Sequence, residues 1–264
     1  RRGDRVAVLD VNSDGLVEVC FASARLGAVF VPLNFRAKAD ELAFMLADSG
    51  ARVLLAGAAY VDMAASLVGR LPDLKHVVGL GGDGPGGAPS SDGLIASSPG
   101  SEGHPAPGGA ELAMLLFTAG TTGAPKGVML SHESFSSYLL NHVEPADPAV
   151  EERTLLSVPL HHVAGIQAMM AAVFGGRGLV IQRQFEAGQW LELVETERAT
   201  RTTLVPTMLK MVLDHPDFGR RDLSSLELVS YGAAPMPLEV ITRALARMPG
   251  VRFINAFGQT ETGA

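Results

Sequence analysis

Apolar and polar positions follow two rhythms along this chain. Short β-branched runs, "RVAVLD" (Arg5–Asp10) and "AVFVPL" (Ala28–Leu33), read as buried strands. Between them Leu16, Val19, Cys20, Ser23 and Leu26 recur at helical spacing, and Gly27 stands where a C-terminal cap belongs. "ADELAFMLADSG" predicts a second helix ending at Gly50. "RVLLAG", a helix near Tyr60–Leu71 and "HVVGL" continue the series.

The rhythm breaks twice. Residues 81–109 are rich in Gly, Pro and Ser with almost nothing to bury, which predicts a mobile surface connection between two subdomains. Within "LLFTAGTTGAPKGVML" a buried strand stops for a Gly/Thr loop at 118–127, and apolar sequence resumes at Val128. Beyond it Ser131 is placed to cap a helix carrying Phe135, Leu139 and Val143. Strands at "TLLSVP", "GLVIQ", "RTTLVP", "LELVSY" and "VRFINAF" then alternate with helices near His162–Val173, Ala187–Arg198, Thr207–Leu213 and Pro237–Met248. This repetition predicts an α/β fold of layered, mostly parallel sheets covered by helices. No internal repeat is visible.

Composition narrows the function classes. The chain has 264 residues, 47% hydrophobic and 19% charged, enough to bury a sizeable core. Its net charge of −7 offers no basic surface for nucleic acid or anionic lipid. Cys20 is alone, which excludes an intrachain disulfide and makes a reducing cytoplasm the expected compartment. Apolar stretches such as "GIQAMMAAVFGG" are too short to span a bilayer. The chain opens at "RRGDRVAVLD" without Met and stops at "FGQTETGA", so it is expected to be a piece of a longer protein.

The loop carries the first candidate chemistry. A phosphate cradle needs converging backbone N–H groups, hence residues able to adopt unusual φ/ψ without bulky side chains. Gly120, Gly123 and Gly127 meet that need; Thr118, Thr121 and Thr122 add hydroxyls and Lys126 a cation. The spacing is not G-x-x-x-x-G-K-[ST], so P-loop kinase or GTPase chemistry is unsupported. A plain turn with a solvated lysine is the alternative. "GLGGDG" (Gly79–Gly84) matches the dinucleotide fingerprint, but Pro85 and further glycines follow where a phosphate-binding helix should start.

"TAGTTGAPKGVMLSH" resembles the signature loop of the adenylate-forming enzymes, which include the acyl-CoA synthetases. Four more stretches fit in the family's order across essentially the whole chain: "VPLNFR", "VPLHHVAG", "VSYGAAPM" and "NAFGQTETG". The resemblance implies that the chain is part of a large N-terminal AMP-binding domain. It implies attack of a carboxylate on the α-phosphate of ATP with Mg²⁺, then transfer of the acyl group to CoA. Residues 118–127 would then hold the β- and γ-phosphates, Thr260 the α-phosphate and Glu261 the metal. Phe257 would lie against adenine, alongside Gly258 and Gln259; Gly232, Ala233, Ala234 and Pro235 would line the adenine edge. His162 would stand near the substrate carboxylate. The ribose-binding Asp, the hinge and the adenylating Lys belong downstream in the family, as does the small C-terminal domain, so residues 1–264 alone are expected not to turn over.

Plainer readings stand beside these. Thr260 and Glu261 are common helix-start residues. "GAAP" is also a strand-to-helix turn, His162 could be a core histidine, and Met169 and Met170 are more often core than ligand contacts. Ala119 replaces the family's usual Ser and Phe257 its commoner Tyr. Amino-acid-activating members of the family place an Asp in the pocket motif to meet the substrate ammonium; "PLHHVAGIQ" has no acid, so the resemblance implies an acid without an α-amino group, aliphatic or aromatic. Carrier-protein loading, luciferase-like chemistry or a noncatalytic nucleotide-binding relative also fits these residues. From another class, "LVSYG" (Leu228–Gly232) approaches an α/β-hydrolase nucleophile elbow, although Leu228 stands where Gly is required.

Overall fold

In the computed structural model, which describes residues 1–100, 106–118, 123–147 and 149–263, the apolar runs pair into two sheets. The chain divides into two compact units, Arg1–Ser136 and Ser137–Ala264.

The first unit runs β1 (Arg5–Leu9), α1 (Asp14–Leu26), β2 (Val29–Pro32), α2 (Ala39–Ser49), β3 (Val53–Gly57), α3 (Val61–Leu67), β4 (His76–Leu80), α4 (Ser91–Ser97), β5 (Leu112–Thr118) and β6 (Lys126–Ser131). Its sheet has the order β4-β3-β1-β2-β5-β6, and only the β5–β6 pair is antiparallel. The parallel pairs follow from the helical crossovers; β6 reverses because only a short loop separates it from β5. Gly27 and Gly50 end α1 and α2 at φ 64° and 61° as predicted, and Ser13 Oγ caps the start of α1 by accepting from the Leu16 backbone N–H at 3.3 Å. Leu9, Val31, Leu42, Leu46, Leu54 and Leu67 form the buried core, each leucine contributing roughly 1.5–3 kcal/mol of burial.

The 81–109 segment departs from expectation. It lies inside the first unit instead of joining two subdomains, since the division falls at Ser136/Ser137. Part of it also folds: Gly79 N–H bonds the Pro89 carbonyl at 3.0 Å, and Ser90 Oγ caps α4 by accepting from Gly93 N–H at 3.1 Å. Residues 101–105 lie outside the described ones. "GLGGDG" comprises the last two residues of β4 and the turn after it, and leads into a 3₁₀ turn at Pro85–Gly87, not into a phosphate-binding helix.

The division falls within α5 (His132–His142), whose Ser134 N–H donates to Ser131 Oγ at 3.3 Å as the sequence predicts. The second unit continues with β7 (Arg153–Leu156), α6 (Val163–Phe174), β8 (Gly178–Ile181), α7 (Ala187–Thr196), β9 (Arg201–Leu204), α8 (Pro206–Asp214), β10 (Leu228–Gly232), α9 (Leu238–Arg247) and β11 (Arg252–Ala256). Its sheet, β11-β10-β9-β7-β8, is wholly parallel. Trp190, Leu191 and Val194 of α7 meet Leu209 and Val212 of α8 over Leu204 and Val229 in a fully buried cluster. Beside β7, Glu152 accepts from Arg177 Nε at 2.6 Å and from Arg201 Nε at 2.8 Å. No helix among the described residues is long and apolar enough to cross a membrane.

Candidate functional site

Within the second unit, the chain leaving the carboxyl ends of the parallel strands surrounds a cavity of about 230 Å³. Val158 follows β7; Thr203, Leu204 and Val205 end β9; Ser230, Gly232 and Ala233 come from β10 and its exit; Ala256, Phe257 and Gly258 end β11. α6 presents Val163, Ala164, Gln167, Ala168 and Ala171, which share one face at helical spacing, and α5 adds Tyr138. The carboxyl edge of an open parallel sheet is where α/β proteins bind ligands.

Two backbone features shape this edge. Gly232 pairs with Ala256 across β10 and β11, and a Cβ on Gly232 would lie 2.1 Å from the Ala256 carbonyl oxygen. Only glycine permits that approach. The next residue, Ala233, holds φ 65°, a left-handed conformation rare for a residue with a side chain. This settles the hydrolase alternative against itself. Ser230 is inside the ladder, opposite Ile254, and the strained exit position carries a methyl group in place of a nucleophile.

The other residues of the two motifs are placed as follows. Ala234 and Pro235 are exposed and lie outside the cavity lining. Phe257 is 89% exposed at the cavity, so its ring face is open for stacking on a flat ligand. Gln259 caps a 3₁₀ turn, Thr260–Thr262, with its N–H 3.4 Å from Thr262 Oγ1, so Thr260 and Glu261 do begin a helical turn. Thr260 is half-buried. Glu261 is exposed, and its carboxylate has no hydrogen-bond or ion-pair partner among the described residues. The Gln167 side chain reaches this segment, its Nε2 donating to the Gly263 carbonyl.

His161 and His162 separate cleanly. His161 is buried, whereas His162 is exposed at the N-cap of α6, their rings 4.2 Å apart and tilted by 47°. The core-histidine role therefore falls to His161, which is buried beneath the exposed ring of His162. His162 does not line the cavity. Met169 is fully buried core.

In the first unit, Thr118 ends β5 and pairs in register with Lys126, which opens β6 two residues earlier than the apolar pattern suggests. The ladder thus fixes the Lys126 backbone while its side chain stays exposed with no ion pair among the described residues. Gly123 has φ 101°, and nothing lies within 4 Å of the Cβ it lacks. Gly120, Thr121 and Thr122, with Ala119, lie outside the described residues.

Among the described residues no three His, Cys, Asp or Glu side chains cluster to cage a metal. A single free carboxylate such as Glu261 still suits Mg²⁺, which commonly takes one or two carboxylates and completes its shell with phosphate oxygens and water. Sequence reasoning passed over Tyr138 and Gln167. The available signals were a tyrosine three residues after the buried Phe135, and a lone amide in the otherwise apolar α6.

A parallel-sheet edge with a cavity at the exits of its strands, beside a glycine-tight turn, is the architecture of an α/β domain with a candidate small-molecule site. The chain belongs to the AMP-binding enzyme family, whose model matches residues 1–264. It is 36% identical over 263 residues to a feruloyl-CoA synthase of Amycolatopsis, covering 99% of this chain and 50% of that protein. It is 31% identical to the long-chain-fatty-acid–CoA ligase FadD13 of Mycobacterium tuberculosis, covering 99% and 50%. The crystal structure of the anthranilate CoA ligase AuaEII with anthranoyl-AMP superposes with a TM-score of 0.90 at 25% identity, covering 100% of this chain and 52% of that one. The chain thus spans about half the length of the curated relatives it matches.

Proposed function

We propose that this chain is the nucleotide- and acid-binding part of an acid–CoA ligase acting on a carboxylic acid with one aromatic ring. The observation that carries the reading is the cavity at the carboxyl edge of the second sheet, lined by Gly232 and Ala233 of "GAAP" and by Ala256, Phe257 and Gly258 of "NAFGQTETG". A 150 Å³ apolar cavity already holds benzene, so about 230 Å³ accommodates a ring with a short acid arm. The similarity to a feruloyl-CoA synthase points the same way.

In this reading ATP, Mg²⁺ and CoA are co-substrates and metal of the whole protein. Phe257 supplies the stacking face for adenine, and the backbone from Gly232 to Pro235 with Gly258 and Gln259 supplies its edge. Thr260 is assigned to the α-phosphate and Glu261 to Mg²⁺. Lys126, Thr118 and the 119–123 loop neutralise and orient the outer phosphates. His162, at the amino end of α6, is assigned to the acid's carboxylate, for which that helix end is electrostatically suited. Positioning and charge neutralisation are most of what a protein contributes at a phosphoryl centre. The acid's carboxylate attacks the α-phosphorus, the bond to the pyrophosphate oxygen breaks, and the thiol of CoA later displaces AMP from the acyl-adenylate.

The test uses the protein expressed from its complete reading frame, with ATP, Mg²⁺, CoA and a panel of aryl and unbranched fatty acids. AMP, pyrophosphate and an aryl-CoA thioester are expected. ADP and orthophosphate would refute adenylation, and turnover confined to fatty acids would refute the aryl assignment. Residues 1–264 alone are expected to be inactive.

A further inference from the structure

The stretch "VPLNFR" (31–36) has no role in the reading above. β2 ends inside it, and the chain leaves the carboxyl edge of the first sheet through residues 33–37. β5 lies beside β2 and parallel to it. β6 returns beyond β5, with Lys126 opposite Thr118 at that same edge. The exit from β2 is a fixed turn: the Arg36 N–H donates to Asn34 Oδ1 at 2.9 Å, and the Ala37 N–H donates to the Asn34 carbonyl at 2.9 Å. Arg36 and Lys38 are exposed, and the Arg36 guanidinium carbon lies 5.3 Å from the Phe35 ring centroid, a neutral partner.

The net charge of −7 conceals this local basic edge. Carboxylates outnumber cations in the chain, 28 to 21, yet the two that follow in α2 are otherwise engaged. Asp40 accepts from Arg70 at 2.8 Å, and Glu41 accepts from the Lys38 backbone N–H at 2.8 Å. The side chains of Arg36, Lys38 and Lys126 have no ion-pair partner among the described residues. β2 and β6 are two strands apart, about 10 Å, so one elongated anion or two neighbouring ones can meet both sides of the edge. Like charges gathered without counter-charges repel one another, and a bound anion removes that repulsion.

We propose that Arg36, with Lys38, binds a phosphate group other than those assigned to Lys126 and Thr118. The proposal rests on the phosphate reading of Lys126 and adds a second cationic contact on that edge. The planar Arg fork suits two phosphate oxygens at once, and Lys adds a point charge. Two co-substrates of the proposed reaction carry such groups: ATP, with its product pyrophosphate, and CoA.

The test compares wild type with Arg36→Gln, Lys38→Gln and the double variant, in the protein expressed from its complete reading frame. One arm varies ATP in acyl-adenylate formation and pyrophosphate in its reversal. The other varies CoA in thioester formation from preformed acyl-adenylate, beside pantetheine, which has the thiol without the phosphates. KM should rise about tenfold or more in one arm, with kcat nearly unchanged, because a contact made equally in ground and transition states acts on KM. A rise for ATP or pyrophosphate assigns the group to the nucleotide; a rise for CoA but not pantetheine assigns it to CoA. Unchanged KM values in both arms for the double variant overturn the proposal, and so does an equal rise for CoA and pantetheine with no change for ATP or pyrophosphate. Calorimetric titration with inorganic tripolyphosphate gives a readout without turnover: the double variant should bind about tenfold more weakly, and equal affinity overturns the proposal. A wild type that forms no acyl-adenylate removes the proposed function instead, and the tripolyphosphate titration then decides for Arg36 and Lys38 alone.

Discussion

Gly232→Ala adds one methyl where β10 and β11 run closest. The new Cβ would sit 2.1 Å from the Ala256 carbonyl oxygen and 3.2 Å from its carbon, whereas ordinary contact begins near 3.4 Å. The strands must open there by about 1.3 Å. The obstacle is backbone, which cannot swing aside like a side chain, so the cost should fall in the upper part of the overpacking range, about 2–3 kcal/mol. Ala256, Phe257 and Gly258 line the cavity, so the displacement passes straight into the site. Misplacement by about 1 Å can reduce a rate about a hundredfold. Ala233→Gly, one residue on, should do the opposite to stability. It relieves a Cβ held at φ 65°, worth about 1–2 kcal/mol, against roughly 0.5–1 kcal/mol of added chain entropy in the unfolded state. The net expectation is a gain of about 0.5–1 kcal/mol. Urea unfolding measures both variants, and pyrophosphate release measures Gly232→Ala. Wild-type stability together with wild-type turnover in Gly232→Ala would refute the close approach and the reasoning built on it.

Three further predictions follow from other parts of the chain. Lys126→Ala should slow pyrophosphate release by about two orders of magnitude, the loss of one electrostatic contact worth about 2–4 kcal/mol in the barrier; an unchanged rate returns Lys126 to a solvated lysine. Glu261→Gln should raise the Mg²⁺ needed for half-maximal adenylation, with partial rescue at high Mg²⁺, whereas superimposable titrations remove Glu261 from the metal. Glu152→Gln should cost about 1–2 kcal/mol at neutral pH, because it weakens charge-assisted bonds to Arg201 and Arg177. Hydrogen bonds from Arg201 first, and then from Arg177, hold the Glu152 carboxyl below its ordinary range. Its contribution is therefore complete above the unfolded pKa of about 4.3 and fades as pH falls through the lower folded value, so wild type and variant should converge in acid. A gap in melting temperature that persists at pH 2 would contradict this account.

Much of the architecture was legible because it is written in local patterns. Strand–helix alternation, the Gly27 and Gly50 caps and the Ser131 cap depend on residues within a few positions of one another, and each is where the pattern puts it. Gly232, Ala233, Phe257 and Gly258, which the spaced motifs named, do line the cavity. Register and pairing were not legible, because they join residues far apart in sequence. The opposition of Thr118 and Lys126 moves that lysine from the loop into the ladder, and only the pairing of β10 with β11 shows why position 232 tolerates no Cβ. Composition misread 81–109, since a single serine cap and one backbone bond to β4 suffice to order part of a Gly/Pro/Ser-rich segment. Gln167 is the clearest case. Sequence marks it only as a polar residue on an apolar helix; its burial and its reach to the distant Gly263 carbonyl appear only in the fold. Hydrogen-bond satisfaction belongs to the folded chain, because each partner is chosen in three dimensions.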